Sequence, residues 1–135
     1  MTNAPLRVGM IGLGTIGQGV VRLIDEQAID SVQVVAALVR DRSRQRTVNT
    51  PLVASLNELL DLKPDVVVEC AGHDGLQQHG PAVLRAGFNM IAVSVGVLAY
   101  EEVHASLLAA AQAGGTRMKV ASGAVGALDA IAAAR

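Results

Sequence analysis

The sequence predicts an α/β fold built on a doubly wound parallel sheet, and two observations support this prediction. Apolar runs rich in β-branched residues alternate with helical patterns, which is typical of βαβ units whose sheet is covered on both faces. The 135 residues are 51% hydrophobic but include one Phe, one Tyr and no Trp, so small aliphatic side chains must form the core of a single domain. Because parallel crossovers are right-handed, a doubly wound topology follows.

The elements follow one another in the order that such a fold requires. Strands are expected near 6–12, 33–39, 65–70, 89–94 and 117–121, with a short extended piece at 51–54. Helices are expected near 15–27, 55–61, 75–86, 100–113 and 124–135. Turn signals agree with these limits, since Lys63-Pro64-Asp65 precedes a strand and Ala86-Gly87 and Gly114-Gly115 each end a helix.

A glycine-rich turn follows the first strand. The spacing Gly12-x-Gly14-x-x-Gly17 between an apolar strand and a helix indicates a dinucleotide-binding turn. Gly12 permits the tight turn, Gly14 lets the backbone approach a pyrophosphate, and Gly17 lets the helix pack on the strand. The first helical turn, with Thr15 and Ile16, offers free N–H groups to the phosphates. The sequence therefore predicts a Rossmann domain, with a purely structural glycine turn as the alternative.

Arginines follow the second strand, at the edge of the sheet where ligands of open parallel sheets bind. An acidic residue there holds the ribose of NAD, whereas arginine favours the 2′-phosphate of NADP. The strand runs into Arg40, Asp41 comes one position later, and residues 40–46 contain four arginines. The predicted cofactor is NAD or NADP, with a preference for NADP or dual use, and a merely solvated loop is the alternative.

The segment after the third strand is expected to pass beside the cofactor diphosphate and the nicotinamide ribose. Ala71 and Gly72 allow close backbone approach, and His73 is expected on the rim of the crevice, where a surface or helix-capping role is the alternative. Cys70 is expected to be a small core residue and not a nucleophile. Glu69 lies on a buried strand and needs a polar partner that the sequence does not identify.

Small residues follow the fourth and fifth strands. Ser94 and Gly96 come after one strand, and Ser122 and Gly123 after the other, where a nicotinamide ring and its carboxamide would lie. Small side chains there leave one face of the ring open for hydride transfer. Helix N-capping is the alternative for each serine, and for Ser122 the two roles are compatible.

Composition argues against several other classes of protein. The formal charge of −1 argues against a nucleic-acid-binding surface, and no apolar run reaches the ~18 to 20 residues that span a bilayer. The single cysteine, Cys70, and an N-terminus without a signal-peptide pattern predict a cytoplasmic protein. No metal site is predicted, because Cys70, His73 and His79 fit no standard ligand spacing. His79 and His104 are expected at the surface.

Four motifs at successive strand ends together resemble the N-terminal half of L-aspartate dehydrogenases. They are Gly12-Leu-Gly-Thr-Ile-Gly17, Val68-Glu-Cys-Ala-Gly-His73, Ser94-Val-Gly-Val-Leu98 and Ser122-Gly-Ala-Val-Gly-Ala-Leu-Asp129. The last is the most specific, and the resemblance covers essentially the whole chain. Homoserine dehydrogenases share the nucleotide-binding fold, but their Ala-Asn-Lys segment is replaced here by Ser94-Val-Gly-Val.

The resemblance implies NAD(P)-dependent oxidation of L-aspartate to iminoaspartate, with hydride passing from the α-carbon to nicotinamide C4. The imine then hydrolyses to oxaloacetate and ammonia or enters NAD biosynthesis. The resemblance also implies that Ala124 contacts the cofactor. It places a catalytic histidine and a second cofactor-binding asparagine in a C-terminal half, so no catalytic residue is assigned here.

Residues 1–123 are predicted to form the dinucleotide-binding domain. Residues 124–135 form a helical pattern with no C-cap signal, so this helix is expected to lead into a catalytic domain absent from the chain. Asp129 on it is expected to be structural or interdomain, and self-association through its Ala-rich face would give a homo-oligomer. A homoserine dehydrogenase-like domain and a stand-alone nucleotide-sensing module are the alternatives.

Overall fold

A computed structural model describes residues 4–121, which form an open parallel sheet of six strands. The strands are β1 (Leu6–Ile11), β2 (Val32–Leu38), β3 (Leu52–Val53), β4 (Val66–Glu69), β5 (Met90–Ala92) and β6 (Met118–Val120). The helices are α1 (Thr15–Glu26), α2 (Leu56–Asp61), α3 (Gly72–Arg85) and α4 (Glu101–Gly114), and a short 3₁₀ helix spans Val95–Ala99. The strand order β3-β2-β1-β4-β5-β6 confirms the predicted doubly wound α/β class.

The core consists of two apolar clusters, one on each face of the sheet. Helices α2, α3 and α4 supply Leu59, Leu76 and Leu107 to the larger cluster. Helix α1 covers the other face, where Val21 packs in the smaller cluster with Met10 of β1. Burial of each side chain of this size contributes about 1.5–3 kcal/mol to stability. Aliphatic side chains alone can therefore form the core on both faces of the sheet.

The structure departs from the predicted limits mainly around β5 and α3. Strand β5 ends at Ala92 instead of residue 94, since the Ser94 N–H bonds to the Glu69 side chain and the chain then enters an unpredicted 3₁₀ helix. Its sequence, Val-Gly-Val-Leu-Ala, has no helical periodicity by which it could be detected. Helix α3 begins at Gly72, three residues before the predicted start at residue 75, and Asp74 lies in its first turn, where an acidic side chain suits the helix dipole.

The predicted helix ends agree with the structure. Lys63 (φ 51°), Gly87 (φ 97°) and Gly115 (φ 65°) take left-handed conformations just after α2, α3 and α4, respectively. Within residues 4–121, no helix has the length and apolarity needed to cross a membrane. The helix predicted at 124–135 and the domain boundary at residue 123 lie outside the described residues.

Candidate functional site

A cleft of about 540 Å³ opens at the carboxyl ends of the strands, where the strand order reverses between β1 and β4. Open α/β sheets bind their ligands at this switch point. Its lining comes from the ends of β1 to β4, the start of α2 and one face of α3: Ile11–Gly14, Leu38–Asp41, Arg44, Arg46, Ala54–Leu56, Cys70, Ala71, Gly75, Gln78 and His79. Gly12, Gly14, Arg40 and Ala71, all predicted as cofactor contacts, line this cleft together.

Each glycine of the turn after β1 meets a different steric requirement. Gly12 has φ 90°, and an added Cβ would lie 2.8 Å from Ala71 Cα and 2.9 Å from the Cys70 carbonyl oxygen. A Cβ on Gly17 would lie 2.9 Å from the Gly12 carbonyl oxygen, so close packing of α1 on β1 requires glycine. Around Gly14 a Cβ would meet no atom of the described residues within 4 Å. Turn, packing and open space correspond to the three roles that the sequence predicts.

The N-terminus of α1 borders this open space. Gly14 is the N-cap residue, and no side chain within residues 4–121 caps the helix. Thr15 and Ile16 follow it and are exposed. The first N–H groups of the helix therefore stay available to an anion, and the helix dipole favours negative charge there.

Hydrogen bonds attach the arginine-rich loop after β2 to α1. Gln18 Oε1 accepts from the Thr47 backbone N–H (2.9 Å), and Gln18 Nε2 donates to the Leu13 carbonyl oxygen (3.2 Å). Arg22 Nη2 donates to Thr47 Oγ1 (2.7 Å). One side chain of α1 thus links the glycine turn to the far end of the loop.

The charged side chains of this loop have different roles. Arg46 donates to the carbonyl oxygens of Asp41 (2.9 Å) and Arg44 (3.0 Å) and holds the loop in shape. The Asp41 carboxylate accepts from Ser43 through its hydroxyl (2.5 Å) and its N–H (2.9 Å). These bonds, the hydroxyl bond most of all, lower the pKa of Asp41. The carboxylate is therefore ionised at neutral pH, with its Oδ1 engaged by Ser43.

Two arginines remain for a ligand. Arg40 and Arg44 are exposed, line the cleft, and form no side-chain hydrogen bond within the part of the chain that the structure describes. Arg42 does not line the cleft. Of the four arginines that the sequence places in this loop, the structure thus offers only Arg40 and Arg44 as free guanidinium groups beside the glycine turn.

The partner that Glu69 requires is Ser94, at the end of the neighbouring strand. The Glu69 side chain is fully buried, and its Oε1 accepts from the Ser94 hydroxyl (2.5 Å) and the Ala71 N–H (3.0 Å). Its Oε2 accepts from the Ser94 N–H (3.1 Å). The capping alternative for Ser94 is wrong as to its side chain: Ser94 is the N-cap residue of the 3₁₀ helix, but its hydroxyl bonds to this carboxylate and does not cap the helix.

Cys70, the residue directly after β4, is half-buried among the apolar side chains beneath α1. Burial, with a smaller contribution from the Glu69 charge, raises the pKa of its thiol to about 11. The thiol is therefore protonated at neutral pH, which is consistent with a core residue and not with a nucleophile.

The structure brings His73 and Gly96 together outside the 540 Å³ cleft. Both are exposed, and a Cβ on Gly96 would lie 2.7 Å from His73 Nε2, so glycine makes room for the imidazole. The helix-capping alternative for His73 is wrong, since Ala71 is the N-cap residue of α3 and the helix has no side-chain cap. The imidazole borders a second cavity of about 730 Å³, shared with Tyr100 and Glu101.

Sequence reasoning missed one wall of the cleft, formed by Ala54–Leu56 and by Gln78 and His79 of α3. His79 is half-buried and not at the surface as predicted, and burial, assisted by the charge of Arg40, lowers its pKa. Helical spacing from Gly75, which lines the cleft from within α3, would have placed it on this wall. His104 is exposed, as predicted.

Other predicted residues lie beyond what the structure describes. Ser122, Gly123, Ala124 and Asp129 fall outside residues 4–121. Within that range, no group of three or more His, Cys, Asp or Glu side chains is arranged to hold a metal ion.

Known proteins match this chain over nearly its whole length. L-aspartate dehydrogenase 1 from Bordetella pertussis is 42% identical over 133 residues, covering 98% of this chain and 51% of that protein. The chain spans about half the length of the curated relatives it matches. The resemblance inferred from the four motifs is confirmed by these relatives, which are named L-aspartate dehydrogenase.

Solved structures of two dehydrogenases share the fold. Homoserine dehydrogenase from S. aureus has a TM-score of 0.71 and 28% identity, covering 89% of this chain and 34% of that chain. Aspartate dehydrogenase from Thermotoga maritima has a TM-score of 0.70 and 21% identity, covering 93% of this chain and 51% of that one. The family described as the NAD-binding domain of homoserine dehydrogenase matches residues 12–121. The chain therefore belongs to this family of NAD-binding domains.

Proposed function

We propose that this domain is the cofactor-binding half of an NAD(P)-dependent L-aspartate dehydrogenase, which oxidises L-aspartate to iminoaspartate. The observation that carries the proposal is the 42% identity to L-aspartate dehydrogenase 1 over 98% of the chain. Residues 1–123 form the dinucleotide-binding domain in this proposal, and 124–135 begin the helix that leads to the catalytic half. Hydrolysis of the imine to oxaloacetate and ammonia, or its use in NAD biosynthesis, belongs to the same proposal.

The described residues fit a dinucleotide. Gly14 leaves open space at the N-terminus of α1, where backbone N–H groups suit a pyrophosphate. In the proposed complex Gly12, Thr15, Ile16 and Gly17 shape and present this turn.

Other strand ends hold the rest of the cofactor in this proposal. Arg40 binds at the adenosine ribose, and Ala71, Gly72 and His73 border the nicotinamide ribose. Ser94, Gly96, Ser122, Gly123 and Ala124 surround the nicotinamide. Bound nicotinamide supplies a two-electron hydride acceptor, and these residues orient it and limit access of water.

We propose further that the cofactor preference leans toward NADP. Arg40 and Arg44 provide two guanidinium groups beside the glycine turn that form no side-chain hydrogen bond within residues 4–121. The Asp41 carboxylate, one position after Arg40, already accepts two hydrogen bonds from Ser43 on Oδ1, which leaves only Oδ2 for the ribose hydroxyls of NAD. Guanidinium groups bind phosphate with short, charge-assisted hydrogen bonds.

Oxidation of homoserine is the second candidate function. The matching family carries the homoserine dehydrogenase name, and the S. aureus enzyme is 28% identical over 89% of the chain. Against it, Ser94-Val-Gly-Val stands where those enzymes carry Ala-Asn-Lys. The aspartate proposal therefore has the stronger support.

The test is an assay of the complete gene product with L-aspartate and L-homoserine, each with NAD and NADP. We expect formation of reduced nicotinamide with L-aspartate and little with L-homoserine. The 135-residue chain serves as a matched control that binds the cofactor but turns over neither amino acid. Turnover of homoserine alone would contradict the proposal, and binding without any turnover by the complete product would favour a nucleotide-sensing module.

We propose a cytoplasmic location and a homo-oligomeric state for the protein. Support for the location is the single free cysteine, Cys70, which suits a reducing compartment. Exposed apolar side chains such as Leu23 on α1 and Leu108 on α4 support self-association. Cell fractionation tests the location, and sedimentation equilibrium tests the oligomer.

A further inference from the structure

The Glu69 carboxylate is the only buried charged side chain among residues 4–121, and none of its hydrogen-bond donors is a cation. An unpaired buried carboxylate is strongly unfavourable unless hydrogen bonds replace its hydration. Here three donors do so: the Ala71 N–H, the Ser94 N–H and the Ser94 hydroxyl. We call this group of hydrogen bonds the Glu69 clamp.

The Glu69 clamp joins two strand ends that lie 25 residues apart in the chain. Ala71 follows β4 and touches the glycine turn, since a Cβ on Gly12 would lie 2.8 Å from Ala71 Cα. Ser94 follows β5 and precedes the 3₁₀ helix. One carboxylate thus fixes the loop after β5 relative to the loop after β4, which itself packs on the glycine turn.

The position of the clamp in the sheet determines which part of a dinucleotide it can affect. A doubly wound sheet binds one mononucleotide on each side of the switch point, with the adenosine half over β1–β3. The nicotinamide half then lies over β4–β6. Both loops that the clamp joins belong to the nicotinamide half, whereas Arg40 and Arg44 belong to the adenosine half.

We infer that Glu69 is a positioning residue that holds Ser94 and the loop after β5 in place to receive the nicotinamide half of the cofactor. The inference rests on the proposed function. Glu69 acts through Ser94 and Ala71 and does not line the 540 Å³ cleft itself. Loss of the clamp should therefore weaken binding of the whole dinucleotide more than binding of a ligand that lacks nicotinamide.

The experiment compares the affinities for NADPH and for 2′-phospho-ADP-ribose, which lacks the nicotinamide. Glu69→Gln keeps the side-chain size but replaces one acceptor oxygen with an NH₂ group, which faces a backbone N–H. We expect a tenfold or greater loss of NADPH affinity, which is the size of effect that loss of a hydrogen bond to a charged group produces. The affinity for 2′-phospho-ADP-ribose should change less than twofold. NADH and ADP-ribose form the parallel pair if NAD is the preferred cofactor.

Ser94 variants separate positioning from direct contact with the ligand. Ser94→Ala removes one donor and should weaken NADPH binding about fivefold, while Ser94→Thr keeps the hydroxyl and should restore most of it. The double variant with Glu69→Gln should be no worse than Glu69→Gln alone, because both changes break the same clamp. Additive losses would instead mean that the two residues act separately and would overturn the inference.

Thr116→Val is the matched structural control. Thr116 is half-buried like Ser94, and its hydroxyl donates to the Leu84 carbonyl oxygen (2.9 Å). It precedes β6 and therefore lies at the amino ends of the strands, opposite the cleft. It should lower stability without changing the ratio of the two affinities. If Glu69→Gln does not fold, the Ser94 pair decides the question.

The outcomes distinguish the two proposals. Wild-type protein that binds neither NADPH nor NADH would overturn both the proposed function and the role of Glu69. Wild-type protein that binds a dinucleotide, with an unchanged affinity ratio in the Glu69 and Ser94 variants, would overturn the role of Glu69 alone.

Discussion

The two halves of the crevice use their polar groups in opposite ways. In the β1–β3 half, the Gly14 turn has no side-chain cap and the Arg40 and Arg44 guanidinium groups have no hydrogen-bond partner within residues 4–121. In the β4–β6 half, Glu69 and Ser94 bond to each other. The first half leaves its N–H and guanidinium groups free for a charged ligand. The second half uses its polar side chains in hydrogen bonds within the protein.

This difference follows from the parts of the cofactor that each half would receive. Phosphates carry fixed charge and gain most from unpaired cations and N–H groups, which cost little while they remain hydrated. A nicotinamide ring offers few polar atoms, and hydride transfer requires precise orientation. Preorganisation by internal hydrogen bonds serves the ring better than free polar groups do.

The largest expected effect comes from Gly12→Ala, which would break the contact between the two halves. Its φ of 90° costs a Cβ-bearing residue about 1–2 kcal/mol, and the new Cβ would meet the backbone of Cys70 and Ala71. We expect the free energy of unfolding to fall by about 3 kcal/mol, measured by urea denaturation. Gly72→Ala is the control, because φ is 87° but no atom of the described residues lies near its Cβ. Equal losses in the two variants would disprove the steric argument.

Gly14→Leu should produce the next largest effect, on binding and not on stability. A side chain there would fill the open space at the N-terminus of α1, so we expect NADPH affinity to fall at least a hundredfold, or about 2.7 kcal/mol, by calorimetric titration. Gly19→Leu is the control, since Gly19 is equally uncrowded but does not line the cleft. Unchanged affinity in Gly14→Leu would refute the pyrophosphate role of this turn.

These two glycines also show which features the sequence could predict. The glycine turn is local, because strand, turn and helix follow one another directly in the sequence. Each of its three glycines meets its own backbone requirement, which the spacing alone indicates. The Glu69–Ser94 bond joins residues 25 apart and depends on the order of β4 and β5 in the sheet. The sequence could show only that Glu69 needed a partner.

The wall formed by α3 was missed for a related reason. Helical spacing groups His79 with Gly75 and Gln78, but the prediction began the helix at residue 75 and so lacked the turn at Ala71 and Gly72 that directs this face toward the cleft. A helix has 3.6 residues per turn, so the spacing shows which side chains share a face but not whether that face points toward the strand ends. The direction in which a helix face points thus depends on the contacts that fix the start of the helix in the fold.

Arg40→Asp should have a moderate effect that sharpens the comparison. It replaces a free guanidinium group of the β1–β3 half with a carboxylate that can accept from ribose hydroxyls but repels a 2′-phosphate. We expect the ratio of NADP to NAD affinity to fall about tenfold, or about 1.4 kcal/mol. Arg42→Asp makes the same charge change outside the cleft and should shift the ratio far less. Equal shifts in both variants would indicate only long-range electrostatics.

The smallest expected effect is on the pKa of His79, which lines the same cleft as Arg40. Burial is the larger cause of its lowered pKa and the charge of Arg40 the smaller one. Arg40→Ala should therefore raise the His79 pKa toward its ordinary value without reaching it, as followed by NMR titration of the imidazole.

The lowered pKa of His79 also makes stability depend on pH, because the unfolded chain binds a proton that the folded state does not. Stability at this site is accordingly lost as pH falls below the ordinary histidine pKa, and the loss should be smaller in Arg40→Ala. Arg42→Ala should leave the titration of His79 unchanged. A shift of the same size in both variants would show that His79 responds to the overall charge of the loop and that the free guanidinium of Arg40 does not act on it directly.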